Sequence, residues 1–407
     1  MIVFFFLIVS FAALADVTSQ DIYQCALRQI ILNQQEAVYR ERINYANARA
    51  QFFPTISASA GPSASAQGQT RFNSNLASVS GTQKIVDFET ISTIDAAEKG
   101  VNASRLELLQ DGLDSAFLAI EDLGQIKAFE NQMELYDIQL RSFQLSDEIM
   151  STGSKLGVSD SNDLLQVRSQ IIFLKTEINR LEFELQRRKR VFTAKYGFSP
   201  VPLTDIKTNT VPGPVNVDRL PAAIALNNRI DQSRFEKLVY YRRYWPDLSL
   251  QASYVSAQSA WPTQLGYPNR FATIAVVADL SALWREKQQR EYQDPIIQTR
   301  INRLTYLLRN LKVEYEQLDA ELALVERQIP LLENRVEVTQ KSKEVSKAKL
   351  RLGRLSFLEL QQSEQAAYSA AQERYLIALR KQILNVRKDL AANYDLSRYQ
   401  KINCSLP

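Results

Sequence analysis

The sequence contains no histidine and only two cysteines, Cys25 and Cys404. Without an imidazole, histidine-based acid–base catalysis and His-ligated metal sites are excluded. The two thiols stand at opposite ends of the chain and form no local metal knuckle. Glycine is also scarce, with 12 in 407 residues, while 23% of residues are charged. That balance points to a mostly helical protein. A net charge of +4 spread over the chain gives no sign of a nucleic-acid partner. The basic cluster "RRKR" at 187–190 falls late in a helical pattern, where the dipole favours cations. "SKAK" at 346–349 has the Ser-x-x-Lys form of acyl-enzymes, but it lacks the companion motifs and lies in a charged helix. No catalytic, metal or cofactor site is expected.

One long apolar run is present, "MIVFFFLIVSFAALA" at the start. It ends in Ala13-Leu14-Ala15, a signal-peptide cleavage pattern that lacks the usual basic segment before it. It is shorter than the ~20 residues of a spanning helix. Residues 1–15 are therefore expected to be removed on export, leaving Asp16 as the first residue.

The chain is organised around two long helical runs. One extends from about Trp284 to Leu352 and is interrupted by Pro295 and Pro330, where kinks are expected. The other extends from about Glu89 to Thr152. At 1.5 Å per residue the longer run would reach about 100 Å. The runs close on related motifs at an offset of 196: Leu156 matches Leu352, Gly157 matches Gly353, Asp163 matches Glu359, Leu164 matches Leu360 and Gln166 matches Gln362. At an offset of 192, Pro54 matches Pro246, Ser57 matches Ser249 and Asp87 matches Asp279. The chain is a tandem duplication.

Ahead of each long run the period changes. Ile56, Ala58, Ala60, Ala64 and Ala66 alternate with Ser57, Ser59, Ser63 and Ser65. Leu248, Leu250, Ala252 and Tyr254 alternate with Ser249, Gln251 and Ser253. This two-residue repeat is that of a strand with one apolar and one polar face. Hairpins are expected over about 54–88 and 246–280, each with room for two strands of 9–11 residues, the length that crosses an outer membrane. Phe53 and Trp245 precede the two prolines, Trp261 lies near the second tip and Trp284 follows its exit. Those spacings suit the two lipid–water boundaries. Two hairpins give four strands, too few to close a barrel, and an open sheet in lipid leaves its edges unpaired. Copies of the chain must complete it; two would give eight strands and three would give twelve.

After each long run a return helix is expected. Leu164, Val167, Ile171, Leu174, Ile178, Leu181 and Leu185 form a coiled-coil seam. Phe129, Met133, Tyr136, Leu140 and Phe143 keep the same spacing on its antiparallel partner. In the second half Ala366, Ala367, Ala370 and Ala371 imply a closer helix approach. The domain organisation expected is thus a signal peptide (1–15), a first repeat (16–196), a surface linker (197–221) holding five of the 13 prolines, a second repeat (222–395) and a tail (396–407).

This layout resembles the TolC-type outer-membrane factors, the exit ducts of Gram-negative efflux pumps and type I secretion systems. The resemblance rests on the doubled helix–hairpin–long helix–return helix unit, the aromatic-Pro start of each hairpin, the Asp closing each one ("IVDFE", "VADLS"), and the acid six residues after each turn glycine. It implies a mainly α protein with a transmembrane β part: four strands per protomer in a trimeric 12-stranded barrel, above an antiparallel coiled-coil tunnel. It further implies an outer-membrane homotrimer working with a periplasmic adaptor (membrane fusion protein) and an inner-membrane transporter. Adaptor-docking tips would be Leu156-Gly157-Val158 and Leu352-Gly353-Arg354. The periplasmic aperture would be lined by Glu359, with Asp163 its match in the first repeat and Gln362 where the family often has a second acid. The layout would also bring Cys25 near Cys404. The alternative is a periplasmic coiled-coil adaptor or tether without a pore, which has no need of duplicated hairpins with aromatic borders.

Overall fold

A computed structural model describes residues 18–67, 70–155, 161–203, 206, 215–243, 245–259, 269–277, 287–352 and 357–392. The elements follow in the order α1 (Ser19–Gln34), α2 (Glu36–Ala50), β1 (Thr55–Gln67), β2 (Thr70–Val86), α3 (Phe88–Lys155), α4 (Ser161–Tyr196), α5 (Pro221–Arg242), β3 (Asp247–Ser259), β4 (Asn269–Val277), α6 (Lys287–Arg351) and α7 (Phe357–Ala392). The doubled order of helix, hairpin, long helix and return helix is as the sequence implies. Two differences concern helices. The first expected helix is divided at Gln35 into α1 and α2. The expected interruption at Pro295 and Pro330 does not occur, because α6 is one unbroken helix of 65 residues. Its ladder loses a donor at each proline, but ion pairs brace the helix around Pro330, with Glu333 held by Arg374 at 2.9 Å and Arg335 by Glu373 at 2.5 Å.

The contacts divide the chain into two compact units. The first comprises residues up to Asn33, Asp111–Val217 and Leu311 onward. Its α1 starts with a capping box: Thr18 N–H donates to Asp21 Oδ2 at 2.8 Å, and Asp21 N–H donates back to Thr18 Oγ1 at 3.3 Å. Ile22, Tyr23, Cys25, Ala26 and Leu27 of α1 are buried. Leu27 sits over Gly112 of α3, where an added Cβ would come within 2.6 Å of its Cδ1. The α3–α4 seam buries Phe143, Met150, Val167 and Leu174, with Tyr136, Leu140, Leu164 and Ile171 packed around them. Each such buried side chain contributes about 1.5–3 kcal/mol. The α6–α7 seam buries Leu318, Val325 and Leu384. Ala367 and Ala370 are buried too, while Ala366 is exposed. Helix α4 ends at Gly197, whose φ of 77° gives the left-handed cap that glycine adopts without strain.

The expected surface linker is partly anchored. Phe198, Leu203 and Ile206 are buried, with Phe198 stacked edge-on to Phe192 at 5.1 Å. Apolar side chains pin this proline-rich stretch to the helices beneath it.

The second unit comprises Gln34–Gln110 and Asp218–Asn310. It holds α2, α5, the adjoining parts of α3 and α6, and a four-stranded antiparallel sheet in the order β1-β2-β3-β4. Arg229 of α5 ties its helices together, pairing with Glu41 at 3.1 Å and Glu107 at 2.9 Å and donating to Ser104 Oγ at 2.8 Å.

Candidate functional site

The sheet separates its two faces by residue type. In register, Ile56 lies opposite Gly81, Ala58 opposite Val79 and Ala60 opposite Ala77. Gly81 and Val79 continue to Ala252 and Tyr254 of β3, and Leu248, Leu250 and Ala252 continue to Val276, Ile274 and Ala272 of β4. This face is mainly apolar, with Gln83, Ser256 and Arg270 also on it, and it lies open: Ile56, Ile274 and Val276 are 73%, 68% and 69% exposed. The other face is mainly polar over β1 and β2, while Val255 of β3 and Phe271 and Ala275 of β4 also lie on it. Ser57 and Ser80 share a hydrogen bond of 2.7 Å, Ser59 and Ser78 one of 2.8 Å, and Ser249, Gln251 and Ser253 continue the row. An apolar face packed on nothing in a soluble protein loses the hydrophobic stabilisation that makes a sheet stable. The alternation visible in the sequence is thus real, and its apolar side is uncovered within the single chain. The strands are 13, 17, 13 and 9 residues long, three of them longer than the 9–11 expected.

The junction from β2 to α3 is built on Asp87, which is wholly buried. It caps α3, accepting from Thr90 N–H at 3.1 Å and Thr90 Oγ1 at 2.5 Å. A bulge between Lys84 and Val86 brings the Lys84 ammonium to Asp87 at 2.5 Å and to Asp247 of β3 at 3.7 Å. Burial alone would raise the Asp87 carboxyl, but Lys84 and the Thr90 donors outweigh it and hold the group below its ordinary range. Beside it Arg243 pairs with Glu89 at 2.6 Å. Trp245 meets Phe88 edge to face at 4.9 Å and remains half exposed. Phe53 is 70% exposed. Two of the four expected interface aromatics therefore border the sheet; Trp261 and Trp284 lie outside the described residues.

In the other unit a polar cluster is buried between α3, α6 and α7. Glu364 is completely buried, accepts from Ser142 Oγ at 2.5 Å and pairs with Lys347 at 3.1 Å. Lys347 also reaches Ser142 Oγ at 2.6 Å. Lys343 is buried over the Tyr368 ring, 4.5 Å from its centre. Burial pushes the Lys343 ammonium down, helped by Lys347, while burial and Glu364 push the Tyr368 hydroxyl up to about 12. The sequence reading missed this cluster, because a charged residue in a charged helix carries no sign of which way it faces.

No family model matches the chain, and neither does any curated protein. Solved structures do. A membrane protein from Pseudomonas aeruginosa superposes with a TM-score of 0.78 at 15% identity, covering 93% of each chain. The outer-membrane channel OprN gives 0.75 at 13% identity, covering 91% of this chain and 90% of its own. The open state of the Neisseria gonorrhoeae MtrE outer membrane channel gives 0.71 at 13% identity, covering 92% and 88%. The chain has the TolC-type fold.

Within the TolC-type fold the expected site residues fall unevenly into view. Glu359 and Gln362 stand exposed in the first turns of α7, and Asp163 is half-buried at the start of α4. Leu352, just past the end of α6, is 69% exposed. Leu156, Gly157, Val158, Gly353 and Arg354 lie outside the described residues. Cys25 is buried and disulfide-bonded; Cys404, the one other cysteine, lies outside the described residues. No described helix is long and apolar enough to cross a membrane.

Proposed function

We propose that the protein is the outer-membrane exit channel of a tripartite efflux pump or type I secretion system in a Gram-negative bacterium. Three copies would close a twelve-stranded barrel in the lipid, and their helices would extend as a tunnel into the periplasm. The conduit is passive and serves small molecules or unfolded protein delivered by an inner-membrane transporter through a periplasmic adaptor. No chemistry on the cargo is required.

One observation carries this reading. The four-stranded sheet presents an open apolar face and, within one chain, ends at the outer strands β1 and β4. Lipid suits the face, and neighbouring copies suit the edges, because unpaired strand edges are not stable in a bilayer. A periplasmic adaptor or tether would have no use for either feature. The solved channels of the same fold support the reading.

Extraction and mass measurement test it. The protein should stay in the outer-membrane fraction through carbonate and salt, leave it in detergent as a trimer, and give steady conductance in planar bilayers. Release by carbonate as a monomer would overturn the proposal.

A further inference from the structure

Each helix of the second unit adjoins one strand of the sheet in the chain: α2 precedes β1, α3 follows β2, α5 precedes β3 and α6 follows β4. A polar network ties these helices together, and its cations are spent. Arg229 is held by Glu41 of α2 and Glu107 of α3. Arg300 of α6 donates to the Arg229 carbonyl oxygen at 2.7 Å and to Ser233 Oγ. Lys99 of α3 pairs with Asp231 at 3.9 Å, and Lys237 pairs with Asp294 of α6. Glu236 of α5 is left over. It is half-buried, and among the described residues it has no ion pair and accepts one hydrogen bond, from the Gln232 amide at 3.0 Å. A carboxylate drawn out of water onto a single neutral donor is costly. A second group in the same unit lacks a partner: Gln293 Oε1 of α6 is buried and receives no donor. The contacts of Arg300 with Arg229 and Ser233, and of Lys237 with Asp294, set the antiparallel register of α5 on α6. On that register Gln293 stands within about two residues, or 3 Å, of the level of Glu236. One group is an acceptor without a donor, and the other becomes a donor once it binds a proton.

We propose that Glu236 is a proton-binding switch in the helices that carry the strands: in mild acid it takes a proton from solvent, and the neutral acid donates to Gln293 Oε1. Uptake supplies the missing donor and removes the surplus charge beside Glu41. Burial pushes the Glu236 carboxyl up from its ordinary 4.5, and Glu41 adds to that; Arg300, Gln232 and Arg229 oppose the rise without cancelling it. The folded state then holds this proton more tightly than the unfolded one. The stabilisation is complete below 4.5 and is lost as pH rises through the folded-state value. The helices that carry β1 to β4 are thus held most firmly in mild acid and less firmly at neutral pH. All the groups involved belong to one chain, so the switch does not depend on how many copies assemble.

Infrared titration of the full-length protein in detergent tests this. In the difference between wild type and Glu236→Gln, the carbonyl band of a protonated carboxyl should grow in with a midpoint above 4.5. Gln293→Leu removes the acceptor, and the midpoint should fall toward 4.5. Thermal unfolding is measured on the same samples. Glutamine keeps the shape of the neutral acid, so Glu236→Gln should unfold about 2–4 °C higher than wild type at neutral pH. That difference should close as the pH approaches 4.5. Absence of the band above 4.5, or an unfolding temperature of Glu236→Gln no higher than wild type at neutral pH, overturns the switch. A midpoint unchanged in Gln293→Leu overturns the donation to Gln293. Should Glu236→Gln fail to fold, the difference between wild type and Gln293→Leu still decides the matter, because the proposal requires a band displaced in pH between the two and is overturned without one.

Discussion

Lys347 and Glu364 form an ion pair of 3.1 Å in which the carboxylate is wholly buried and the lysine is 31% exposed. Two helices meet there, and Ser142 brings in a third. Burying a carboxylate is costly, and the pair offsets that cost only while its partners remain. Glu364→Ala leaves Lys347 and Ser142 facing an apolar gap, and the expected loss is about 2–4 kcal/mol of stability. Glu364→Gln keeps the shape and one acceptor and should lose less. Thermal unfolding of both variants in detergent checks the order; equal stability would show that the pair holds nothing.

Lys343 lies next to this pair with its ammonium buried over Tyr368. Burial lowers its folded-state pKa below the ordinary 10.5, and the Lys347 charge adds to that. The folded state then binds fewer protons than the unfolded one in the window below 10.5. Stability from this group should rise with pH through that window and fall as the solution is brought back to neutral. Lys343→Met removes the buried charge and keeps the stem, so it should stabilise the protein at pH 7 by about 1 kcal/mol or less. The gain should vanish above about pH 10.5. Destabilisation at pH 7 would mean that the contact with the Tyr368 ring outweighs the cost of burial.

Much of the architecture is legible in the sequence because two periods carry it. The Ile56-to-Ala60 alternation marks a strand, and the structure gives that strand an apolar and a polar side. The Leu164, Val167, Ile171 and Leu174 spacing marks the α4 seam, and Val167 and Leu174 are buried in it. What the sequence hides is direction and context. Glu364 reads as one more helix charge, yet it is the most buried acid near the α7 start. Pro295 and Pro330 read as interruptions, but α6 continues as one helix through both. Leu203 and Ile206, isolated among prolines, show no period, yet each is buried.

The two faces of the sheet should respond oppositely to charge. Ile274 and Thr273 are neighbours on β4, the first on the apolar face with Leu250 and the second on the polar face with Gln251. Ile274→Lys places an ammonium on the lipid side, with an expected cost of about 2–4 kcal/mol near mid-membrane. Thr273→Lys places the same charge on the polar side, where water can reach it. The trimer recovered from outer membranes should fall severalfold for the first and little for the second. The reverse order would show that the sheet faces are assigned the wrong way round.

Cys25 carries a disulfide, and Cys404 is the one other cysteine in the sequence. If they pair within a chain, the closed loop spans nearly the whole chain, and chain-entropy arguments give it about 5 kcal/mol of stabilisation. Unreduced protein should take up no thiol reagent, and peptide mapping should show the Cys25 and Cys404 peptides joined. Free labelling of both would rule the bond out. A bond that joined two chains would appear as a covalent dimer on a non-reducing gel.

The last expectation concerns Glu359, the exposed acid six residues after Gly353 and the match of Asp163 six after Gly157. In a three-fold channel, three copies of Glu359 would stand around one axis near the periplasmic mouth. A ring of carboxylates in a narrow opening draws cations, and confinement weakens salt screening relative to an open surface. The channel should then prefer cations at neutral pH. Gln362, where a second acid is often found in this fold, would add no charge of its own. Glu359→Gln should lower the cation preference in planar-bilayer recordings by about two- to several-fold. The competing account is that Glu359 pairs with Arg351 or Arg354 at the turn and faces away from the axis. In that case the substitution would leave the selectivity unchanged, and the side chain would serve the turn rather than the pore.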